Sequence, residues 1–203
     1  SLGRLGVDCV DLFYIHRRDP RIPIEEVMET LLKFKKEGKI GGIGFSEISP
    51  SSLRRASDVG LVDAVQSEYS LWTRSAELGL IQTCQELGVS FIPFSPLGRG
   101  IFSITPPDPS TFGELDFRKG NPRFLQPNFN QNLNLLEPFK QLCADLNVSP
   151  STMAIAWTLN QGEHLLPIPG TRSRGHLMEL ALGSQFNLTK EISDQIDRIL
   201  PIG

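Results

Sequence analysis

The sequence has few cysteines, and their placement excludes a disulfide scaffold. Its three cysteines, Cys9, Cys84 and Cys143, are far apart and odd in number. We interpret them as reduced thiols of a cytoplasmic protein rather than as a disulfide framework. No two of them have the spacing of zinc ligands, so we expect no metal site.

The sequence also lacks long apolar runs and any marked excess of charge. No apolar run approaches the roughly 20 residues that a membrane-spanning helix needs, and residues 1–6 lack the apolar core of a signal peptide. The formal net charge of −3 gives no electrostatic case for binding nucleic acid or an anionic membrane. The chain of 203 residues is long enough to form one domain with a sizeable core.

The sequence does contain a regular alternation of apolar runs and amphipathic segments. Apolar runs predict strands at residues 10–15, 40–45, 62–65, 89–94 and 165–168, and helical patterns lie between and after them. Such alternation predicts parallel strands with helical crossovers. We therefore predict an α/β fold, a (β/α)8 TIM barrel of which this chain supplies about five β/α units, corresponding to strands 4 to 8. An open doubly wound sheet is the structural alternative, but its glycine-rich first-turn pattern is missing.

Polar or turn residues follow each predicted strand, as at the carboxyl face of a barrel. His16 ends the first strand, Ser46 and Glu47 end the second, Gln66 ends the third and Ser95 ends the fourth. From position alone, a histidine at a strand end is about as often a capped structural residue as a functional one. Phe94 by itself is more simply explained as a core aromatic residue.

Two further segments stand out from the repeat. Residues 98–131 are rich in Pro, Gly, Asn and Phe, and we interpret them as a loop insertion because loops of this length are often functional. Residues 170–174, with the sequence GTRSR, precede a predicted helix. A helix N-terminus with hydroxyl and guanidinium groups is a suitable site for phosphate.

Taken in order, these segments resemble the aldo-keto reductases, specifically the branch with Gly-x-Ser-Glu and Tyr-Ser-Leu-Trp motifs. The resemblance is carried by DLFYIH at 11–16, GFSE at 44–47, QSEYSLW at 66–72, FSPLGRG at 94–100 and IPGT at 168–171. It implies an NADPH-dependent reductase of aldehydes or ketones. It also implies that the first three β/α units precede Ser1, so that the chain is either a fragment or a truncated relative.

The resemblance assigns roles to individual residues. His16 would be catalytic, as the donor to the substrate carbonyl oxygen, while the family's catalytic Tyr, Lys and Asp have no counterpart here. We therefore expect the 203 residues alone to be inactive as a reductase. Trp72, Phe124 and the 98–131 insertion would line the substrate pocket.

The cofactor residues implied by the resemblance fall into three groups. One would hold the nicotinamide, one would form a loop over the pyrophosphate, and one would bind the 2′-phosphate and adenine. They are Ser46, Glu47, Gln66 and Phe94; Ser95, Leu97, Gly98 and Arg99; and Gly170, Thr171, Arg172, Arg174, His176 and Glu179. Family members commonly have Asn, Tyr, Arg and Asn at the positions of Glu47, Phe94, His176 and Leu180. We expect NADP rather than NAD because Arg172 and Arg174 are retained.

Two other functions stay open at this point. The same scaffold could serve as a non-catalytic NADP-binding partner subunit, which turnover of an aldehyde would distinguish from an enzyme. A phosphate-binding barrel of unrelated chemistry rests on residues 170–174 alone. We expect a small carbonyl substrate and no nucleic-acid or membrane partner, and the oligomeric state is left open.

Overall fold

The structure, a computed structural model, describes residues 1–202. Its strands are β1 (Val10–Ile15), β2 (Ile40–Ser46), β3 (Ala64–Glu68) and β4 (Ser90–Phe94). Its α-helices are α1 (Leu2–Leu5), α2 (Ile24–Lys36), α3 (Pro50–Val59), α4 (Leu80–Leu87), α5 (Asn128–Asp145), α6 (Pro150–Leu159), α7 (Arg174–Leu182) and α8 (Lys190–Ile199). None of the helices in this described part has both the length and the apolar character that crossing a bilayer requires.

The chain forms two compact units. The first, here called the sheet unit, comprises Ser1–Tyr69, Ser75–Phe94 and Gly162–Ile168. The second, here called the helical unit, comprises Ser70–Arg74, Ser95–Gln161 and the residues from Pro169 onward. Each unit is described by itself below.

The sheet unit contains four parallel strands in the order β1-β2-β3-β4. Helices α2, α3 and α4 lie between successive strands in the chain, so each strand returns to its neighbour through a helical crossover. This arrangement confirms the predicted α/β fold with parallel strands.

Side chains alternate between the two faces of the sheet. One face is the apolar core of the unit, where Ile43, Phe45, Val65 and Phe91 are each at most 1% exposed. The opposite face carries the alternate side chains of each strand, including those near the carboxyl ends of the strands. The predicted site residues of the strands therefore lie on the face opposite this apolar core.

The Ser-Pro pairs at 49–50 and 149–150 predict helix starts, and the structure forms a side-chain cap at each. Ser49 accepts a hydrogen bond from the backbone N–H of Ser52 at 3.2 Å, and Pro50 occupies the first position of α3. Ser149 does the same for α6 with the N–H of Thr152 at 3.1 Å. These contacts satisfy amide donors that the first helical turn leaves without intrahelical acceptors.

The fifth predicted strand is shorter than the sequence suggests. Residues 165–168 make only two isolated parallel bridges with β4, at Phe91–Leu165 and Phe94–Ile168. The backbone N–H groups of Leu166 and Ile168 donate to Phe91 and Pro93. Because Pro93 has no N–H to return a bond, the ladder is interrupted between the two bridges.

Two helix boundaries also differ from the sequence prediction. The apolar periodicity of residues 75–87 predicts one helix, but the structure has a 3₁₀ turn (Ser75–Leu78) followed by α4, with Gly79 between them at φ 132°. The periodicity after the 98–131 insertion predicts a helix from residue 133, but α5 begins at Asn128. Apolar periodicity does not mark either boundary, because one break depends on a glycine conformation and the other helix begins in a polar turn.

The helical unit is held together by a nearly buried arginine. Arg74 is 9% exposed, and its guanidinium donates to Asp197 Oδ1 at 2.8 Å and to the carbonyl oxygen of Leu200 at 2.9 Å. The guanidinium also lies 4.9 Å from the ring centroid of the buried Trp157. Arg74 thus joins the C-terminal end of α8 to α6.

Candidate functional site

Four of the predicted site residues lie together at the carboxyl edge of the sheet. Ser46 on β2 pairs with Gln66 on β3, so these two side chains are direct neighbours on one face. Phe94 pairs with Glu68, which is two residues beyond Gln66 and therefore on the same face. His16 follows Ile15, the last β1 residue paired with β2, and its side chain is exposed.

Tyr14 is a residue at this edge that our sequence analysis did not single out. It lies in β1, two residues before His16, and pairs with Gly44 on β2. Its ring covers Gly44 on β2, where an added Cβ would lie 2.5 Å from the ring carbon Cε1 of Tyr14. Burial raises the pKa of the Tyr14 phenol. The parity with His16 was the only sequence signal that could have found it.

Glu47 has a strained backbone conformation, and both its backbone N–H and its side-chain carboxylate form hydrogen bonds with β3. Its φ is 53°, in the left-handed region, and its N–H donates to the carbonyl of Gln66 at 2.9 Å. Its carboxylate Oε1 accepts from the N–H of Glu68 at 2.9 Å. The side chain therefore ties the end of β2 to the end of β3, and one carboxylate oxygen is already engaged.

The predicted pyrophosphate loop in the helical unit is also strained. Ser95 and Arg99 have φ values of 53° and 60°, and Gly98 is at 55°. Within residues 1–202, four non-glycine residues have positive φ, and three of them, Glu47, Ser95 and Arg99, are predicted site residues. Left-handed backbone at non-glycine residues costs free energy and concentrates at functional sites. A Cβ at Gly98 would lie 2.8 Å from Ile101, so this position accepts no side chain without a shift.

The 98–131 insertion is an ordered series of capped turns rather than an extended loop. Asp108, Asp116 and Asn121 each accept a hydrogen bond from the backbone N–H two residues ahead, and a 3₁₀ turn begins at each cap. Arginines lie over aromatic rings between these turns. The pairs are Arg99 over Phe117, Arg118 over Phe112 and Arg123 over Trp72, at 4.8, 4.2 and 5.0 Å from guanidinium carbon to ring centroid. Phe124 is buried against Trp72 and Phe112.

Asp116 gives this insertion a testable pH dependence. The side-chain hydrogen bonds from Arg118 lower the pKa of Asp116 from 3.8 to about 2. Because the folded pKa lies below the ordinary value, the stabilisation is complete above about pH 4 and is lost as pH falls through about 2. We expect the Asp116 carboxyl carbon to titrate near pH 2 by NMR, and nearer pH 4 in Arg118→Gln. Titration of both proteins near pH 4 would contradict this role of Arg118.

The predicted 2′-phosphate segment forms the start of α7. Ser173 caps the helix by accepting from the N–H of His176 at 3.4 Å, and Thr171 Oγ1 accepts from the N–H of Ser173 at 3.1 Å. The side chains of Arg172 and Arg174 are exposed, and within residues 1–202 neither guanidinium has a hydrogen-bonded or ion-paired partner. Both guanidinium groups therefore lie at the N-terminal end of α7, which carries the positive end of the helix dipole, and no anionic group within residues 1–202 pairs with them.

Glu179 is engaged within the helical unit. Its carboxylate accepts from Ser151 Oγ, and its carbonyl oxygen accepts from Thr152 Oγ1 at 3.0 Å. Both partners belong to the first turn of α6, so Glu179 anchors α7 to α6. Gly170 and His176 are exposed, whereas Leu97 is half-buried. Residues 1–202 contain no group of three His, Cys, Asp or Glu side chains arranged to hold a metal ion.

Comparison with known proteins decides the family. The model of the aldo/keto reductase family matches residues 1–201. The chain belongs to the aldo/keto reductase family. This result confirms the resemblance drawn from the sequence motifs.

Individual relatives agree with the family assignment. The aldo-keto reductase yakc of Schizosaccharomyces pombe, whose name includes NADP(+), is 39% identical over 210 residues, covering 100% of this chain and 62% of that protein. The solved structure of the glycerol dehydrogenase AKR11B4 from Gluconobacter oxydans has a TM-score of 0.88 at 28% identity, covering 100% of this chain and 63% of that one. The thermostable aldo-keto reductase Tm1743, solved with the inhibitor epalrestat, has a TM-score of 0.75 at 23% identity, covering 98% and 62%, and shows likeness of fold alone.

These comparisons confirm the predicted partial TIM barrel of parallel strands, and the NADP prediction agrees with the name of the yeast relative. This aldo/keto reductase chain spans about 62% of the length of that relative. The roles of individual site residues stay predictions.

Proposed function

We propose that this chain binds NADP(H) and contributes His16 to the reduction of an aldehyde or ketone. The observation that carries the proposal is the pairing of Ser46 with Gln66 on one face at the carboxyl edge of the sheet, beside His16 and Phe94. The nicotinamide carboxamide has both a donor and an acceptor. A serine hydroxyl and a glutamine amide together offer both in return.

The residues present fit the two ends of the cofactor separately. In the sheet unit, the half-buried ring of Phe94 offers a face for stacking, which needs no hydroxyl group. In the helical unit, Arg172 and Arg174 carry charges without partners in residues 1–202, as recognition of a 2′-phosphate requires. Glu47 fits less simply, because Oε1 of its carboxylate already accepts from Glu68, which leaves Oε2 for the carboxamide NH₂.

When bound, NADPH supplies the hydride that reaches the carbonyl carbon. A ring N–H of His16 would donate a hydrogen bond to the carbonyl oxygen as negative charge develops on it. Ser46 and Gln66 would hold the carboxamide, and the Phe94 ring would stack on the nicotinamide. Donors aimed at developing charge typically contribute a factor of about 10²–10³ to the rate. The residues of this chain would thus orient the nicotinamide and polarise the substrate carbonyl. The family resemblance assigns the proton donor to a tyrosine that has no counterpart in this chain.

Calorimetric titration of the chain with NADPH and NADH tests the proposal. We expect NADPH to bind about tenfold or more tightly than NADH, because only NADPH carries the 2′-phosphate. The fragment 2′,5′-ADP should bind as well, since it retains that phosphate. Absence of binding by all three ligands would contradict the proposed function.

A further inference from the structure

Arg99, in the predicted pyrophosphate loop, is contacted in two ways by one turn of the 98–131 insertion. Its guanidinium carbon lies 4.8 Å from the centroid of the Phe117 ring. Its backbone carbonyl oxygen accepts a hydrogen bond from Nη1 of Arg118 at 3.3 Å. Neighbouring residues of the turn therefore hold the side chain and the backbone of Arg99 separately.

The backbone contact comes from a side chain that is itself fixed. Nε and Nη2 of Arg118 donate to the two carboxylate oxygens of Asp116 at 3.0 and 2.6 Å. The guanidinium carbon of Arg118 lies 4.2 Å from the ring centroid of the buried Phe112. Left-handed backbone at a non-glycine residue persists where its surroundings support it, and Arg99 has a φ of 60°. Arg118 thus supports the conformation from which the Arg99 side chain extends.

The side-chain contact comes from an aromatic residue that adds little to the core. Phe117 is 67% exposed, although a phenyl ring is usually buried. The negative face of such a ring attracts a guanidinium group. Unlike a carboxylate, the ring does not neutralise the charge that it attracts. An arginine held in this way keeps its charge for an anionic ligand.

We propose that Phe117 is a positioning residue that holds the guanidinium of Arg99 for the pyrophosphate of NADP(H). This inference rests on the proposed function, because Phe117 acts through Arg99 in the same cofactor site. Both residues belong to the helical unit. A long side chain loses rotamer freedom when it binds a ligand, and a contact that restricts it beforehand reduces that cost. The ring of Phe117 therefore strengthens binding of the pyrophosphate without touching it.

Calorimetric titration of Phe117→Ala with three ligands tests this role. NADPH and 2′-phospho-ADP-ribose both contain the pyrophosphate, and the second of them lacks the nicotinamide. Adenosine 2′-monophosphate lacks the pyrophosphate altogether. We expect the first two ligands to bind about two- to fivefold more weakly, the usual effect of losing an exposed cation–π contact. Binding of adenosine 2′-monophosphate should change by less than about 1.5-fold.

Further variants separate positioning from a general effect on the insertion. Phe117→Tyr keeps the ring and should retain the affinity of the unmodified chain, whereas Phe117→Leu keeps apolar bulk without a ring and should lose as much as Phe117→Ala. In an Arg99→Ala background, Phe117→Ala should have no further effect, because the two residues act as one unit. Leu115→Ala removes a fully exposed apolar side chain two residues earlier and should leave all three affinities unchanged.

The outcomes distinguish the two proposals. Equal weakening of all three ligands by Phe117→Ala, or no weakening of NADPH, would overturn the role of Phe117 and leave the proposed function standing. Unchanged affinity in Phe117→Leu would do the same, because it would show that the ring is not required. Failure of the unmodified chain to bind NADPH would contradict the proposed function itself, and the role of Phe117 toward the pyrophosphate would fall with it.

Discussion

Arg74→Ala is expected to lower the free energy of unfolding by about 3 kcal/mol, from the combined loss of charged hydrogen bonds and a desolvated cation–π contact. The side chain is nearly buried. It donates hydrogen bonds to Asp197 and to the Leu200 carbonyl, and it also contacts the Trp157 ring. Its aliphatic stem also fills space in the helical unit. Asp197 is 45% exposed and regains water after the substitution, so most of the cost falls on the buried partners.

Urea unfolding followed by circular dichroism measures this effect. The matched control is Arg55→Ala, which breaks the ion pair between Arg55 and Glu25 at 2.7 Å. Both of those side chains are substantially exposed, and exposed pairs contribute at most about 1 kcal/mol. Equal losses in the two variants would show that Arg74 is no more important than a surface arginine.

Removal of both guanidinium groups at the start of α7 is expected to have the largest effect on ligand binding. The double variant Arg172→Ala, Arg174→Ala should bind NADPH about 100-fold more weakly, because each charge-assisted hydrogen bond to phosphate contributes about 1.5–3 kcal/mol. Binding of NADH should weaken by less than about threefold, since it has no 2′-phosphate. The preference between the two cofactors should therefore largely disappear.

A double variant of equal net charge controls for long-range electrostatics. Arg4 and Arg198 are exposed and lie in the last turns of α1 and α8. Arg4→Ala, Arg198→Ala should keep the preference for NADPH. A similar loss in both double variants would assign the effect to net charge rather than to the α7 segment. Calorimetric titration at two salt concentrations makes the same distinction.

The sequence predicts the sheet well because a buried parallel strand leaves a continuous apolar run that is easy to read. All four strands of the sheet have ends within three residues of the predicted runs, and His16, Ser46 and Gln66 follow from where those runs end. The α3 and α6 starts were also predictable, since Ser-Pro pairs mark a cap and a first helical position.

What the sequence does not predict depends on contacts between distant residues. The packing of the Tyr14 ring over Gly44 requires the register of β1 and β2, which no local pattern encodes. The engagement of Glu47 with Glu68 is hidden for the same reason. The fifth run has the composition of a strand, but its pairing fails at Pro93, on a different strand.

The prolines beside β4 have a further consequence for association between molecules. Residues 165–168 lie along β4, and Leu166 and Ile168 are about half exposed, which would make this border attractive to an added strand. Pro167 and Pro169 provide no N–H groups, so a strand approaching from outside finds few donors with which to build a ladder. Pro93 thus interrupts the pairing of residues 165–168 with β4, whereas Pro167 and Pro169 limit the pairing of these residues with a further strand.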